Sequence, residues 1–177
     1  MNILRRWYVA IALFAALILD GICSFRLQSI LFHGFGGAAC WFTVVGIVLI
    51  GLCDDQNIDN VWLSLGIGLI ADVFYMGFIG VYTVIFPAIC FLSEKVARFL
   101  PEIFISRLIV SLLAYLLVDI YVFLVCNAVG VISVSTLDLV KSFLPSLIMC
   151  LIIFLITYAF WVWLVEKYPF LDKRTPY

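Results

Sequence analysis

Charge is what this chain has least of. Only 12% of its 177 residues are Asp, Glu, Lys or Arg, where a soluble domain carries roughly 25%. The net charge of −1 leaves no basic patch to neutralise phosphates, which excludes a nucleic-acid partner. There is one histidine, His33, and the six cysteines (Cys23, Cys40, Cys53, Cys90, Cys126 and Cys150) never form a Cys-x-x-Cys pair. That removes the usual metal-ligand spacings, and the cysteines read as small core hydrophobes. No His-Glu-x-x-His, Gly-x-Ser-x-Gly or phosphate-loop motif occurs either. The expectation is therefore a non-enzyme with no metal and no cofactor.

Apolar residues fill the space that charge vacates. Two thirds of the chain is hydrophobic and the mean hydropathy is +1.27. Nearly all of it divides into runs long enough to cross a bilayer, which needs about 20 apolar residues per helix. No length remains for a separate soluble domain, so residues 1–177 read as one polytopic membrane domain. Arg5-Arg6 ahead of an apolar stretch imitates a signal peptide, but no small-x-small cleavage site follows at the right distance. The first run is expected to stay as an anchor.

The runs are Trp7 to about Leu31, Phe35–Cys53, Val61–Leu92, Ile103–Val125 and Phe143–Val165. Val61–Leu92 is too long for one crossing and contains a single charge, Asp72, with Gly77 and Gly80 shortly after it. Lysine and arginine placement decides how it is used. If it crosses once with the N-terminus inside, only Arg5, Arg6 and Lys141 face the cytoplasm, against the positive-inside bias. If the chain doubles back near Gly77–Gly80, every basic residue except Arg26 and Lys141 lies inside. The sequence thus predicts an all-α protein of six transmembrane helices with cytoplasmic N- and C-termini. Its third and fourth spans are short and broken. Their junction should sit below the outer surface, where irregular backbone must be buried in protein or line a water-filled cavity. An outward-facing recess between these two spans is expected.

Four intramembrane charges are the candidates for chemistry: Asp20, Arg26, Asp72 and Asp119. At 1.5 Å per residue the acids lie about 20, 16 and 22 Å from the cytoplasmic starts of their helices. Intramembrane charges are expensive and mark either relays or internal pairing. With no histidine in the spans and no second carboxylate one helical turn away, the structural role is favoured. Asp20 or Asp72 would pair with Arg26, or turn to hydroxyls and freed backbone at the break. Gly66-Ile-Gly68-Leu-Ile-Ala71 matches a dinucleotide fingerprint by letter, but it has no strand before it and reads as close helix packing. Ala12-x-x-x-Ala16 is a second small-residue face, on the first span. Trp7-Tyr8, Trp41-Phe42, Trp62 and Trp161/Trp163 fall near span ends, as an interfacial belt would place them.

The segment Gly68-Leu-Ile-Ala-Asp72-Val-Phe-Tyr75, followed by Gly77, Gly80 and Tyr82, resembles the central motif of the MreD family of bacterial rod-shape-determining membrane proteins. Leu19-Asp20-Gly21 resembles that family as well. The resemblance implies a non-catalytic part of the cell-wall elongation machinery in the plasma membrane. Its expected partners are an MreC-like single-span protein, with RodA, a class-B penicillin-binding protein and the MreB filament. A partner surface is then expected at Asp72, Gly77 and Gly80, with Ala12 and Ala16 on the first span. An alternative is a substrate-binding subunit of an energy-coupling-factor vitamin transporter, in which an alanine motif of the first span contacts the partner subunit. The outer half here offers few polar groups to hold a vitamin.

Overall fold

The computed structural model describes residues 7–34, 40–54, 57, 59–101, 103–130, 136–168 and 170, with the side chains of 27–34 and 136–139 left undescribed. Expectations placed on Arg5, Arg6, the His33 side chain and the C-terminal tail fall outside these residues. Among the described residues all regular structure is helical, in the order α1 Tyr8–Gly34, α2 Phe42–Cys53, α3 Asp59–Ala71, α4 Tyr82–Ala97, α5 Phe104–Ala128 and α6 Thr136–Lys167. A π turn, Asp72–Met76, extends α3.

The helices fall into two classes. Tyr8–Arg26 of α1, α5 and Val140–Lys167 of α6 are long and apolar enough to cross a membrane. The other three have 12, 13 and 16 residues, about 18, 20 and 24 Å, short of a hydrocarbon core of about 30 Å. The shortest, α2, is central. It packs against α1, α4, α5 and α6, and every residue from Thr43 to Leu52 is buried, as expected of a helix that is hydrophobic on all sides. Large apolar side chains on the outer faces of the long helices, such as Ile11 and Ile18 on α1, Leu113 on α5 and Ile156 on α6, point away from the bundle.

Small residues set how closely the helices approach. A Cβ at Gly46 of α2 would come within 2.5 Å of the Trp161 ring on α6. At Gly51 it would lie 2.9 Å from the Cys90 carbonyl oxygen of α4. Trp161 is therefore a buried core residue seated over a glycine, not the interfacial anchor expected; its neighbour Trp163 is exposed. Cys40, Cys90, Cys126 and Cys150 are buried among apolar groups.

The chain does reverse between α3 and α4, which pack against each other over much of their lengths. The expected recess between them is not what forms. A Cβ at Gly68 would stand only 2.4 Å from the Tyr82 carbonyl oxygen, so the backbones meet at the Tyr82 end of the seam and close it. The space opens on the other flank of α3, against α1. A Cβ at Gly66, two residues away on the helix, would meet nothing within 4 Å.

These two glycines give a paired test. Gly68→Leu must push α3 off rigid backbone, and overpacking of this kind costs about 1–3 kcal/mol. Gly66→Leu fills open space and gains helix propensity. Thermal unfolding in detergent is expected to show a clear loss for Gly68→Leu and none for Gly66→Leu. Equal melting of both variants would contradict the closed seam.

Candidate functional site

Two of the short helices begin inside the bundle, where water is not available to satisfy their first N–H groups. Neither α2 nor α4 brings its own side-chain cap. A carboxylate from the preceding helix takes that role in each case. Asp20 of α1, almost fully buried, accepts from the backbone N–H of Phe42 and, at 3.0 Å, from that of Thr43. These are the first two residues of α2, so the acid also faces the positive end of the helix dipole.

Asp72 does the same for α4 and more. It is fully buried. Its Oδ1 accepts from the N–H of Tyr82 at 2.7 Å, and its Oδ2 from the N–H groups of Gly80 and Thr83 at 2.8 and 3.0 Å and the Thr83 hydroxyl at 2.6 Å. Its own carbonyl accepts from the Gly77 N–H at 2.9 Å. One aspartate thereby anchors both ends of the reversal. Gly77 and Gly80 have φ of 73° and 132°, a region that L side chains rarely adopt. The glycines are there to let the chain turn back onto the carboxylate.

Asp119 of α5 completes a layer. Its Oδ1 accepts from the indole Nε1 of Trp41 at 2.9 Å, and the Trp41 backbone N–H donates to the Tyr115 hydroxyl at 3.2 Å. The Trp41 ring lies 5.4 Å from that of Tyr82, and Tyr82 lies 6.2 Å from Tyr75. Tyr75 donates its hydroxyl proton to the Leu17 carbonyl on α1, and Tyr121 of α5 donates to the Gly80 carbonyl at 3.4 Å. The three acids are thus joined through Trp41, Tyr75 and Tyr82 at one end of the bundle. Of the two arrangements expected, pairing with Arg26 or satisfaction by hydroxyls and freed backbone, the structure has the second: Asp20 and Asp72 bond to backbone at the helix starts, Asp72 also to the Thr83 hydroxyl, and Arg26 is exposed. Sequence alone does not single out Trp41, Tyr82 or Tyr115 as site residues. The signal it does carry is one acid in each of the first, third and fifth spans, at similar depth.

The expected partner residues separate into two groups. Ala16 is buried in the chain's own core, and Ala12, half-buried, packs against it. Gly77 and Gly80 look onto open space. Two apolar clefts run between α1 and α3. One of about 540 Å³ is flanked by Ala10, Ile11 and Phe14 on α1 and by Trp62, Gly66 and Ile70 on α3. The other, about 260 Å³, begins at the same Phe14 and continues past Gly21 to Phe74 and Tyr75 of the π turn.

A search of known families matches residues 1–169 to the rod shape-determining protein MreD. The chain belongs to the MreD family. No curated protein and no solved structure matches it. Membership makes this a membrane protein with a part in rod-shape determination, and the carboxylate layer is the internal framework of this MreD chain.

Asp72→Ala removes the acceptor of three backbone N–H groups, and each donor left buried without a partner costs about 1–3 kcal/mol. Hydrogen exchange followed by mass spectrometry should show faster exchange across Gly80–Thr83, with α5 and α6 little changed. Wild-type protection across Gly80–Thr83 in the variant would show that Asp72 does not hold the turn.

Proposed function

We propose that the chain is a non-catalytic, six-span component of the bacterial cell-wall elongation complex in the plasma membrane, with both termini cytoplasmic. It docks an MreC-like single-span protein and so supports peptidoglycan synthesis alongside RodA, a class-B penicillin-binding protein and the MreB filament. The family match over residues 1–169 supports the shape-determining role. The distribution of lysine and arginine supports the orientation, since the reversal after Asp72 returns Lys95, Arg98 and Arg107 to the side of the N-terminus.

The observation that carries the docking role is the cleft between α1 and α3. It is apolar, opens on the surface of the bundle, and has glycine among its lining residues, Gly66 in the larger part and Gly21 in the smaller. Hydrophobicity drives no association between helices in lipid, so affinity there comes from close packing over small residues. A helix of a single-span partner laid along α1 and α3 would find both. A vitamin-binding subunit needs polar groups placed to orient its ligand. The clefts formed by the described residues are lined almost wholly by apolar side chains, and Ala12 and Ala16 are turned inward.

Gly66→Phe fills the cleft without touching the core. It is expected to leave the thermal stability of the purified protein unchanged and to abolish co-purification of the MreC-like partner, with rod-shaped host cells rounding up. Full recovery of the partner with this variant would rule the cleft out as the docking surface.

A further inference from the structure

One helix-pair pattern occurs three times in this chain, and only two copies are complete. Leu17-Ile-Leu-Asp20 on α1, Leu69-Ile-Ala-Asp72 across the end of α3 and Leu116-Leu-Val-Asp119 on α5 are versions of one sequence. Each has a counterpart on the next helix. Phe42-Thr-Val-Val45 opens α2, Tyr82-Thr-Val-Ile85 opens α4, and Pro145-Ser-Leu-Ile148 lies within α6. The two helices of each pair pack together. In the first two pairs the acid accepts from the N–H groups of the first two helical residues, Phe42 and Thr43 or Tyr82 and Thr83.

In the third pair the acid and its counterpart are present without that bond. Ser146, 1% exposed, faces the Asp119 carboxyl, yet the buried Oδ2 has no hydrogen-bond partner among the described residues. The reason is that α6 does not begin at Pro145. It runs from Thr136 with Pro145 inside it, so the N–H of Ser146 is directed along the helix to the carbonyl four residues back. Proline is out of place there, because it has no N–H to give and its ring crowds the preceding turn. At a first helical position it is favoured: its φ suits the helix, and the missing N–H would have been unpaired in any case. Little packing holds the turns before it, since Val140, Lys141 and Leu144 are exposed, and packing is what stabilises most helices.

We propose that α6 has two starts. In one it begins at Thr136, as in this structure. In the other the turns from Thr136 to Leu144 unwind, Pro145 becomes the first helical residue, and Asp119 Oδ2 accepts from the N–H and hydroxyl of Ser146. Its Oδ1 keeps the Trp41 indole throughout. Asp119 then caps α6 as Asp20 and Asp72 cap α2 and α4, and the stretch before Pro145 is a strap that winds and unwinds. This is independent of the docking role, since it involves neither cleft between α1 and α3.

Hydrogen exchange of the full chain in detergent, resolved by mass spectrometry, tests the second start. Amides of Val140–Leu144 should exchange freely while those from Met149 onward are protected, a step that a continuous helix does not give. Asp119→Ala removes the alternative cap and should slow exchange over Val140–Leu144 about fivefold, the factor that a typical side-chain cap is worth. An acid with a purely structural role predicts the opposite sign, because its loss would loosen the helices around it. Pro145→Ala should also slow exchange there and leave Asp119→Ala nothing to add. Wild-type protection of Val140–Leu144 equal to that at the centre of α6 would overturn the proposal, whether or not either variant folds. Unchanged or faster exchange over Val140–Leu144 in Asp119→Ala would overturn it too.

Discussion

Everything in this bundle depends on helices being allowed to start where water cannot reach them. An α-helix opens with N–H groups that have no partner within the helix, and in a hydrocarbon surrounding each would cost several kcal/mol. Asp20 and Asp72 resolve this by accepting those N–H groups from outside the helix they cap. Ionised or neutral, a carboxyl has oxygens to offer, and the expense of placing it in the membrane is offset by the donors gathered around it. The acids are therefore the framework on which the short helices are built, which is also why they need no basic partner.

Once α2 is permitted to begin deep in the bundle, its role follows. It is surrounded by four other helices, so it presents no outward face. Glycines at Gly46 and Gly51 admit the Trp161 ring and the α4 backbone to within contact of its axis. The same device at Gly68 locks α3 to α4. Polar caps decide where helices start, and missing side chains decide how near they lie. The long helices α1, α5 and α6 supply the membrane-crossing length that the inner ones lack.

Function in such a protein is read from what remains after internal demands are met. Asp20, Asp72, Trp41, Tyr115 and the Oδ1 of Asp119 are occupied with each other and with backbone, while the buried Oδ2 of Asp119 has no hydrogen-bond partner among the described residues. What is left over is on the α1–α3 side: two apolar clefts with Gly66 and Gly21 among their lining residues. In the function proposed above, this surface is the one that holds another protein in the membrane.

The sequence by itself determined the class, through its scarcity of charge, and the turn after Asp72, through an acid followed by two glycines in a run too long for one crossing. It also marked Asp20, Asp72 and Asp119 as unusual. The partners of Asp20 and Asp119 were decided only by the tertiary structure, because Phe42, Thr43 and Trp41 come next to these acids by helix packing and not by spacing along the chain, whereas the freed backbone and hydroxyl that take up Asp72 follow it closely in sequence. Tertiary structure likewise turned Ala16 and Trp161 inward and moved the open space from the α3–α4 seam to the α1–α3 flank. The physical reason is common to all three. In lipid, the core-facing and outward-facing sides of a helix are both apolar, so hydropathy that separates inside from outside in a soluble protein does not record which face meets the bundle.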